Sequence, residues 1–299
     1  MHIRVGVIGL GHMGSAFAGN LLRSGFPVTG HDIAPAKVAA LVAAGGVAGG
    51  SAAGAAGRAD VVITSLPSVA ALGAVVTELE GMEGDPGVLL EMGTLPIAAK
   101  EQAADRLAGR FTVLDCPVSG TGTQARTGDV VVYASGDRDA FTACTEALAG
   151  FSRAQYYVGP FGTGMRVKLI ANLLVTVHNV AAAEAIVLAR RAGIDLDLLV
   201  RVVGDGAGTS RMFEVRGPMM VAGSYDDSTA NVEIYKKDLA LITEFASGLD
   251  CPVPLLSASA QLYAAAMAQG RAHQDGAAVA AVLEGMAGGG QAERDGDGA

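Results

Sequence analysis

The chain has 299 residues, enough for two domains, and its 21 Lys and Arg against 30 Asp and Glu give a formal net charge of −9. With 51% hydrophobic and 17% charged residues, the composition excludes a disordered or coiled-coil protein. An acidic protein does not attract phosphate backbones through its overall field, so we expect no nucleic-acid partner.

The mean hydropathy is positive, +0.39, and raises the question of a membrane protein. Two uncharged runs, 38–57 and 252–270, are long enough to consider, but the first is mostly Gly and Ala and the second contains Pro, Ser and Gln. Neither resembles the Leu-rich span of about 20 residues that a bilayer requires, so no membrane segment is predicted. The three cysteines lack paired spacing, which favours a reducing cytoplasm and predicts neither disulfides nor a metal site.

The first half of the chain alternates short apolar runs with helical stretches. The runs are continuous in Val, Ile and Leu and do not alternate with polar residues at every second position, which is typical of strands buried on both faces. Strand and helix in alternation predict an α/β domain with a doubly wound parallel sheet. The predicted strands are 3–8, 27–30, 61–65, 88–91, 112–116 and 130–134.

The pattern changes near Gly162. No Pro or Gly occurs from Met165 to Ala192, which predicts one long helix over 165–192 that Gly193 ends. We therefore predict an α/β domain over 1–161, an all-helical domain over 162–286 and a disordered tail over 287–299. The further predicted helices are 195–203, 210–221, 231–247, 255–269 and 274–286.

A glycine-rich motif, Gly9-Leu10-Gly11-His12-Met13-Gly14, lies between the first strand and a helix. In this G-x-G-x-x-G pattern Gly9 would permit a tight turn, Gly11 would let the backbone approach a pyrophosphate, and Gly14 would let the helix pack close to the sheet. The free amides of the helix N-terminus favour a diphosphate. The motif predicts a dinucleotide-binding domain of the Rossmann type.

Asp32 follows the second strand, about 20 residues after Gly9, where an acidic residue can accept the ribose 2′-hydroxyl. Its carboxylate would repel a 2′-phosphate, and Ile33 offers no charge to bind one, so NAD is favoured over NADP. The alternative is that Asp32 only caps a helix after a glycine-rich turn.

Lys168 and Asn172 lie four residues apart near the start of the long helix and therefore share a face, and Asn179 falls within about 20° of Lys168. Oxidation of an alcohol needs a base for the hydroxyl proton, and the reverse reduction needs an acid. Lys168 could serve as both if burial lowers its pKa from about 10.4 toward neutrality, while Asn172 could bind the same oxygen. The alternative is a solvated helix edge.

Four motifs, in this order, resemble those of the β-hydroxyacid dehydrogenases, a superfamily that includes 3-hydroxyisobutyrate dehydrogenase, tartronate semialdehyde reductase and, more distantly, 6-phosphogluconate dehydrogenase. The resemblance covers residues 1 to about 285 and implies hydride transfer between NAD(P) and a small 3-hydroxy acid or semialdehyde. The motifs are Gly6 to Gly14, Asp115-Cys116-Pro117-Val118-Ser119-Gly120, Gly162-Thr163-Gly164 with Lys168 and Asn172, and Lys237-Asp238-Leu239.

The resemblance also implies roles for individual residues. Lys168 would be the general acid/base, and the small carboxylate substrate would be bound by Ser119, Gly120, Thr121 and Asn172. Besides the glycine-rich motif and Asp32, the cofactor would be contacted by Leu66, Pro67, Thr94 and Lys237.

The sequence departs from the family pattern at several positions. Thr121 and Gln124 replace glycines, Gly93 replaces a serine before Thr94, Ala171 replaces an asparagine, and Ala230 stands where an aromatic residue is usual. These changes leave the identity of the substrate open.

Two other functions fit the same residues. One is an NADPH-dependent glyoxylate or succinic semialdehyde reductase, which Asp32 disfavours because its carboxylate would repel the 2′-phosphate of NADPH. The other is a non-catalytic dinucleotide-binding protein, which is disfavoured because Lys168 and Asn172 are both present.

We expect a homodimer or homotetramer formed through the helical domain, because the long helix is apolar around much of its circumference and one small domain cannot cover it. The apolar residues that spread over its faces are Ile170, Leu173, Leu174, Val177, Val180, Ile186, Val187 and Leu188.

Overall fold

The computed structural model describes residues 3–82, 87–226 and 230–288, so that most of the predicted tail, 289–299, lies outside the described residues. The chain divides into two compact units, Met1–Lys168 and Leu169–Ala299. The division falls inside the long helix, whereas the sequence placed a domain boundary just before it.

Unit 1 contains a nine-stranded sheet in the order β3-β2-β1-β4-β5-β6-β8-β7, with β9 paired to β8. Pairing is parallel from β3 to β6 and between β8 and β9, but β8 runs antiparallel to β6 and β7. The strands are β1 Val5–Ile8, β2 Val28–His31, β3 Val47–Ala48, β4 Val61–Thr64, β5 Gly87–Glu91, β6 Phe111–Asp115, β7 Val118–Ser119, β8 Val131–Ser135 and β9 Ala154–Gly159.

The six predicted strands are confirmed with ends within two residues, and the predicted doubly wound sheet is parallel except where β8 pairs with β6 and β7. The sequence missed β3, β7 and β9. The first two are only two residues long, and the third, Ala-Gln-Tyr-Tyr-Val-Gly, lacks a continuous apolar run.

Helices cover both faces of this sheet. Ile63 and Leu90 point into one core, against Phe17 of α1, while Val62 and Leu89 point into the core on the other side. Burial on both faces explains why the strands read as continuous apolar runs. The helices of unit 1 are α1 His12–Arg23, α2 Pro35–Ala43, α3 Ala52–Ala56, α4 Val69–Glu80, α5 Ile97–Leu107, α6 Gly122–Arg126 and α7 Arg138–Ala149.

The long helix, α8, runs Thr163–Arg191, two residues earlier at its start and one earlier at its end than predicted. Apart from a bridge between Asn231 and Asp275, the described part of unit 2 consists of helices and turns. After α8 come α9 Leu196–Gly204, α10 Arg211–Ala222, α11 Val232–Ser247, α12 Pro254–Ala268, a 3-10 turn Gly276–Ala278 and α13 Val279–Met286.

By length and composition α8 could cross a membrane, although neither of the two uncharged runs considered above lies in this helix. Three of the polar side chains near its middle and start are nonetheless buried in protein: Lys168 is 9% exposed, Asn172 8% and Asn179 0%. The stripe of polar residues along this helix is therefore not a solvated edge. Buried polar groups that find partners are typical of a core helix in a folded domain.

Candidate active site

The glycine-rich turn after β1 is shaped by close backbone contacts. Gly9 has a φ of +89°, and a Cβ there would lie 2.3 Å from the Ser65 carbonyl oxygen. A Cβ on Gly14 would lie 1.9 Å from the Gly9 carbonyl oxygen. A Cβ on Gly11 would meet nothing within 4 Å. Gly9 and Gly14 are thus required by the fold itself, whereas Gly11 faces open space, as the approach of a pyrophosphate requires.

Helix α1 begins directly after this turn, with Gly11 as its N-cap. Because Gly11 has no side chain, the first amide groups of the helix receive no side-chain cap. Such amides, together with the positive end of the helix dipole, favour an anion. The turn therefore fits the diphosphate of a dinucleotide.

Asp32 joins the glycine-rich turn to the loop after β2. Its Oδ2 accepts a hydrogen bond from the Leu10 amide at 2.7 Å, and its Oδ1 accepts one from the Ala34 amide at 2.8 Å. A carboxylate has about four acceptor positions, so two remain for ribose hydroxyls. The neighbouring Ile33 is 95% exposed. Asp32 therefore has a structural role in addition to the predicted role toward the cofactor.

The predicted cofactor residues of unit 1 follow strands that end at one edge of the sheet. The last residues of β1, β4, β5 and β6 are in register, since Ile8 pairs with Thr64, Thr64 with Glu91, and Glu91 with Asp115. Ligands of doubly wound sheets bind beyond the carboxyl ends of the strands. The segments that begin at this edge are the glycine-rich motif, Leu66 with Pro67, Gly93 with Thr94, and the run 116–121.

The turn predicted to bind the substrate carboxylate is built around Thr121 and Gln124. Gln124 donates its backbone amide to Thr121 Oγ1 at 3.3 Å, and Thr121 donates its amide to Gln124 Oε1 at 3.0 Å. The two residues form a capping box at the start of α6, so these two departures from the family pattern belong together. Because the Thr121 amide is directed to Gln124, it is not the group of this residue that would bind a carboxylate.

Ser119 and Gly120 precede this box. Ser119 is the last residue of β7 and is partly exposed. Gly120 has a φ of +142°, and a Cβ there would lie 2.7 Å from Val130 Cγ1, so the position requires glycine.

Lys168 and Asn172 lie one helical turn apart on α8, as predicted, and both are buried. Asn172 Nδ2 donates to Asp238 Oδ2 at 2.8 Å, and the other oxygen of Asp238 lies 3.5 Å from Lys237 Nζ. Asp238 thereby fixes the orientation of the Asn172 amide. Sequence reasoning gave Asp238 no role, although it stands inside the Lys237-Asp238-Leu239 motif.

A buried ion cluster in unit 1 was also missed. Lys100 Nζ lies 2.7 Å from Glu91 Oε2 and 2.5 Å from Asp115 Oδ1, with all three side chains at most 1% exposed. Burial raises the pKa of Glu91, although Lys100 opposes this. Burial also acts to lower the pKa of Lys100, but the two carboxylates outweigh it and the pKa is raised. Lys100 therefore remains an ammonium ion.

The ion cluster could have been found from the spacing of α5. Lys100, Ala103 and Leu107 recur at helical intervals and are the buried residues of that helix. A lysine aligned with apolar positions on one helix face indicates a buried charge that needs partners.

The ion cluster continues into the first turn of α8. Asp115 Oδ2 accepts the Met165 amide at 2.7 Å and the Ser135 hydroxyl at 3.1 Å. Ser135 Oγ in turn accepts the Gly164 amide at 2.9 Å. The negative charge of Asp115 thus lies at the positive end of the helix that carries Lys168.

Two family models match the chain. The NAD-binding domain of 6-phosphogluconate dehydrogenase matches residues 4–159, and the NAD-binding domain of NADP-dependent 3-hydroxyisobutyrate dehydrogenase matches residues 162–283. These matches define an oxidoreductase with an NAD(P)-binding Rossmann domain, in agreement with the prediction.

Relatives and solved structures narrow this class. The chain is 36% identical to L-threonate dehydrogenase of Cupriavidus necator over 98% of its length and 100% of that protein. It is 31% identical to 3-sulfolactaldehyde reductase of Escherichia coli over 92% of this chain and 94% of that one. The structure of 3-hydroxyisobutyrate dehydrogenase from Salmonella typhimurium matches with a TM-score of 0.83 at 36% identity, covering 94% and 99% of the two chains.

A second solved structure, the 3-hydroxyisobutyrate dehydrogenase of Mycobacterium tuberculosis with L-serine, matches with a TM-score of 0.85 at 25% identity, covering 95% and 99%. The chain belongs to the β-hydroxyacid dehydrogenase family, and it is an oxidoreductase that acts on CH–OH groups. The predicted family, fold class and enzyme class are confirmed.

Proposed function

We propose that the protein transfers a hydride between NAD and a small 3-hydroxy acid or its semialdehyde, with Lys168 as general acid/base. The observation that carries this proposal is the burial of Lys168 one helical turn from Asn172, on a helix whose first turn is held by Asp115 and Ser135. The bound nicotinamide would accept or supply the hydride. The chain's own residues would bind the substrate and move its hydroxyl proton.

In this proposal Lys168 Nζ takes the hydroxyl proton during oxidation and returns it to the carbonyl oxygen during reduction. Asn172 retains one amide N–H beyond the one that it donates to Asp238, and this N–H would bind the same substrate oxygen. Ser119 and Gly120 would bind the carboxylate.

Asp32 and Ile33 support NAD over NADP. The carboxylate of Asp32 is held beside the glycine-rich turn by the Leu10 amide, where it would repel a 2′-phosphate. The almost fully exposed Ile33 provides an apolar surface for the adenosine and no cation for a phosphate.

The names of the relatives suggest two candidates for the substrate. The solved structure with L-serine contains a ligand that is itself a 3-hydroxy acid, which supports a 3-hydroxyisobutyrate-like substrate. Several curated relatives are named L-threonate dehydrogenase, which supports a polyhydroxylated acid. The polar box of Thr121 and Gln124, where the family pattern has glycines, favours the more polar substrate.

A turnover assay separates these possibilities. Purified protein would be offered 3-hydroxyisobutyrate, L-threonate, glyoxylate and succinic semialdehyde, each with both cofactors. We expect NAD-dependent oxidation of at least one hydroxy acid. Faster reduction of glyoxylate or succinic semialdehyde with NADPH would establish the reductase alternative. NADH binding without any turnover would establish a non-catalytic dinucleotide-binding protein.

We further propose that the helical unit pairs with a second copy of the chain. Ile170, Leu174 and Leu188 of α8 remain 56%, 48% and 71% exposed in the single chain. Leu188 also lines an apolar groove with Met286, which is 72% exposed. A second copy that covers these side chains would bury the apolar surface that one unit leaves open.

Light scattering at micromolar concentration tests this pairing. We expect a mass of two or four times 30.0 kDa. Leu188→Glu would reduce it toward that of one chain, and Val69→Glu, at an exposed position on α4, would leave it unchanged. An active 30.0 kDa species in the wild type would contradict the proposal.

We propose a cytoplasmic protein without a membrane, nucleic-acid or metal partner. The net charge of −9 and the buried polar residues of α8 support this, and the described residues include no group of three His, Cys, Asp or Glu side chains that could hold a metal. Recovery of the activity in a membrane pellet would contradict the proposed location.

A further inference from the structure

We propose that Lys100 is a positioning residue. The buried ion cluster of Lys100, Glu91 and Asp115 would fix the Gly93–Thr94 turn and the first turn of α8 to one another. It would thereby set the place of Lys168 relative to the nicotinamide side of the site. The catalytic consequence rests on the proposed function, whereas the anchoring of α8 does not.

Lys100 uses its full capacity as a donor. Its ammonium group contacts Glu91 Oε2 at 2.7 Å, Asp115 Oδ1 at 2.5 Å and the Gly93 carbonyl oxygen at 2.9 Å. An ammonium group has three hydrogens and cannot bond further. Since the side chain is fully buried, each contact is made away from water. The geometry at Lys100 is therefore tightly specified.

One side of the cluster holds the turn that contains Thr94. Glu91 Oε1 accepts the Gly93 amide at 2.9 Å, and the Gly93 carbonyl accepts from Lys100, so Gly93 is held by both of its polar groups. A Cβ on Gly93 would lie 2.7 Å from Glu91 Oε1. The glycine that replaces the family's serine before Thr94 is thus the residue that lets Glu91 reach this turn.

The other side holds the start of α8. The two oxygens of Asp115 have different partners: Oδ1 contacts the ammonium group of Lys100, and Oδ2 accepts the Met165 amide. Gly164 packs so closely that a Cβ there would lie 2.3 Å from the Tyr133 carbonyl oxygen. Asp115 alone therefore links the ammonium group of Lys100 to a backbone amide of α8, the helix that bears Lys168.

The charge balance points to positioning more than to stability. Two carboxylates face one ammonium group, and the positive end of α8 faces the remaining negative charge. Removing charges from water costs several kcal/mol per ion, so a well-packed apolar core could be as stable. What an apolar core could not supply is a directional link from the Thr94 turn to the first turn of α8.

The test compares Ser135→Ala and Asp115→Asn with Leu107→Ala. Ser135→Ala removes only the hydroxyl that accepts from Gly164 and donates to Asp115, and Asp115→Asn removes one charge of the cluster. Leu107 is 1% exposed on the same helix as Lys100 and has no part in the cluster, so its truncation provides matched destabilisation. NADH titration would count the folded sites in each preparation.

Two quantities would be measured on those preparations. The first is kcat per NADH-binding site, with KM and the NADH Kd. The second is amide exchange in the segment with Gly164 and Met165. We expect faster exchange in both Ser135→Ala and Asp115→Asn. The kcat per site should fall about threefold to tenfold in Ser135→Ala and more in Asp115→Asn, while the NADH Kd stays within about threefold of wild type. Leu107→Ala should lower Tm and leave kcat per site unchanged.

Unchanged kcat per site in both Ser135→Ala and Asp115→Asn would overturn the proposal, as would an equal loss of kcat per site in Leu107→Ala. If the wild type turns over none of the substrates offered, the proposed function fails, and amide exchange alone then decides whether the cluster anchors α8. Unchanged exchange at Gly164 and Met165 would overturn the anchoring.

Discussion

The glycine-rich turn and the start of α8 both belong to the candidate site, and they are built in opposite ways. The turn is fixed mainly by backbone sterics, since Gly14 packs against the carbonyl oxygen of Gly9 within the motif and Gly9 packs against that of Ser65. The start of α8 is fixed by hydrogen bonds between residues distant in the sequence, since Asp115 accepts the amide of Met165. Binding of a dinucleotide needs a shape that a short motif can encode, whereas a proton-transfer residue needs a place that only several segments together can define.

The largest expected effect separates chemistry from cofactor binding. Lys168→Ala should lower kcat by about 10²–10⁴, the usual contribution of a general acid/base, and leave the NADH Kd within a few-fold. Steady-state kinetics and NADH fluorescence titration measure the two quantities. If the variant keeps more than about a tenth of wild-type kcat, Lys168 is not the general acid/base.

The next effect concerns the ion cluster. Lys100→Met leaves Glu91 and Asp115 buried without their cation and should lower the free energy of unfolding by about 3–5 kcal/mol. Burial raises the pKa of Glu91, and without Lys100 the hydrogen bond from the Gly93 amide is the opposing contact that remains. A carboxyl group whose pKa is raised on folding stabilises the fold at low pH and loses that contribution as pH rises through the raised pKa. The loss of unfolding free energy caused by Lys100→Met should therefore be smallest near pH 5 and grow toward pH 8.

Denaturant unfolding at both pH values measures that deficit. Arg106→Met is the matched control, because Arg106 lies on the same helix and forms an exposed ion pair with Glu80. Its loss should cost less than about 1 kcal/mol. A deficit for Lys100→Met that does not depend on pH would show that Glu91 does not take up a proton.

Within the glycine-rich turn, one substitution should affect mainly the stability of the fold and another mainly the affinity for NADH. Gly14→Ala adds a methyl group 1.9 Å from the Gly9 carbonyl oxygen and should destabilise the protein by about 1–3 kcal/mol. Gly11→Ala adds its methyl group to open space and should leave Tm nearly unchanged, but weaken NADH binding about tenfold or more. Thermal unfolding and NADH titration of both variants provide the comparison. Equal NADH affinity in Gly11→Ala and wild type would refute the approach of a pyrophosphate at this position.

The smallest expected effect is on cofactor choice. Asp32→Ala with Ile33→Arg removes a carboxylate and adds a guanidinium group that can bind a 2′-phosphate, so kcat/KM should shift from NAD toward NADP. Asp32 also binds the Leu10 amide, so some loss of activity with both cofactors is expected. The single change Ile33→Arg keeps that bond and serves as the control. A wild type that already prefers NADP would contradict the assignment.

Sequence patterns predicted the longer strands and helices well, but they missed the shortest strands and the contacts that depend on the folded chain. Strands such as β4 carry continuous Val and Ile because they are buried on both faces, and this composition can be read directly. β7 is two residues long, and its antiparallel pairing with β8 depends on where the chain returns to the sheet. The Thr121–Gln124 pair looked like two separate departures from a family pattern until the structure showed one capping box.

The family, the Rossmann-type sheet, the long helix and the glycine-rich turn could all be predicted from the sequence alone. Each of these depends on periodicity, on composition or on contacts between residues only a few positions apart. Three features became visible only in the folded chain: Lys100, Glu91 and Asp115 meet, Asp115 and Ser135 hold the first turn of α8, and Asp238 orients Asn172. Those contacts join residues far apart in the chain, and a single sequence contains no periodic signal for them. The physical reason is that a buried charge shows only that it needs a partner, and the fold determines which partner it finds.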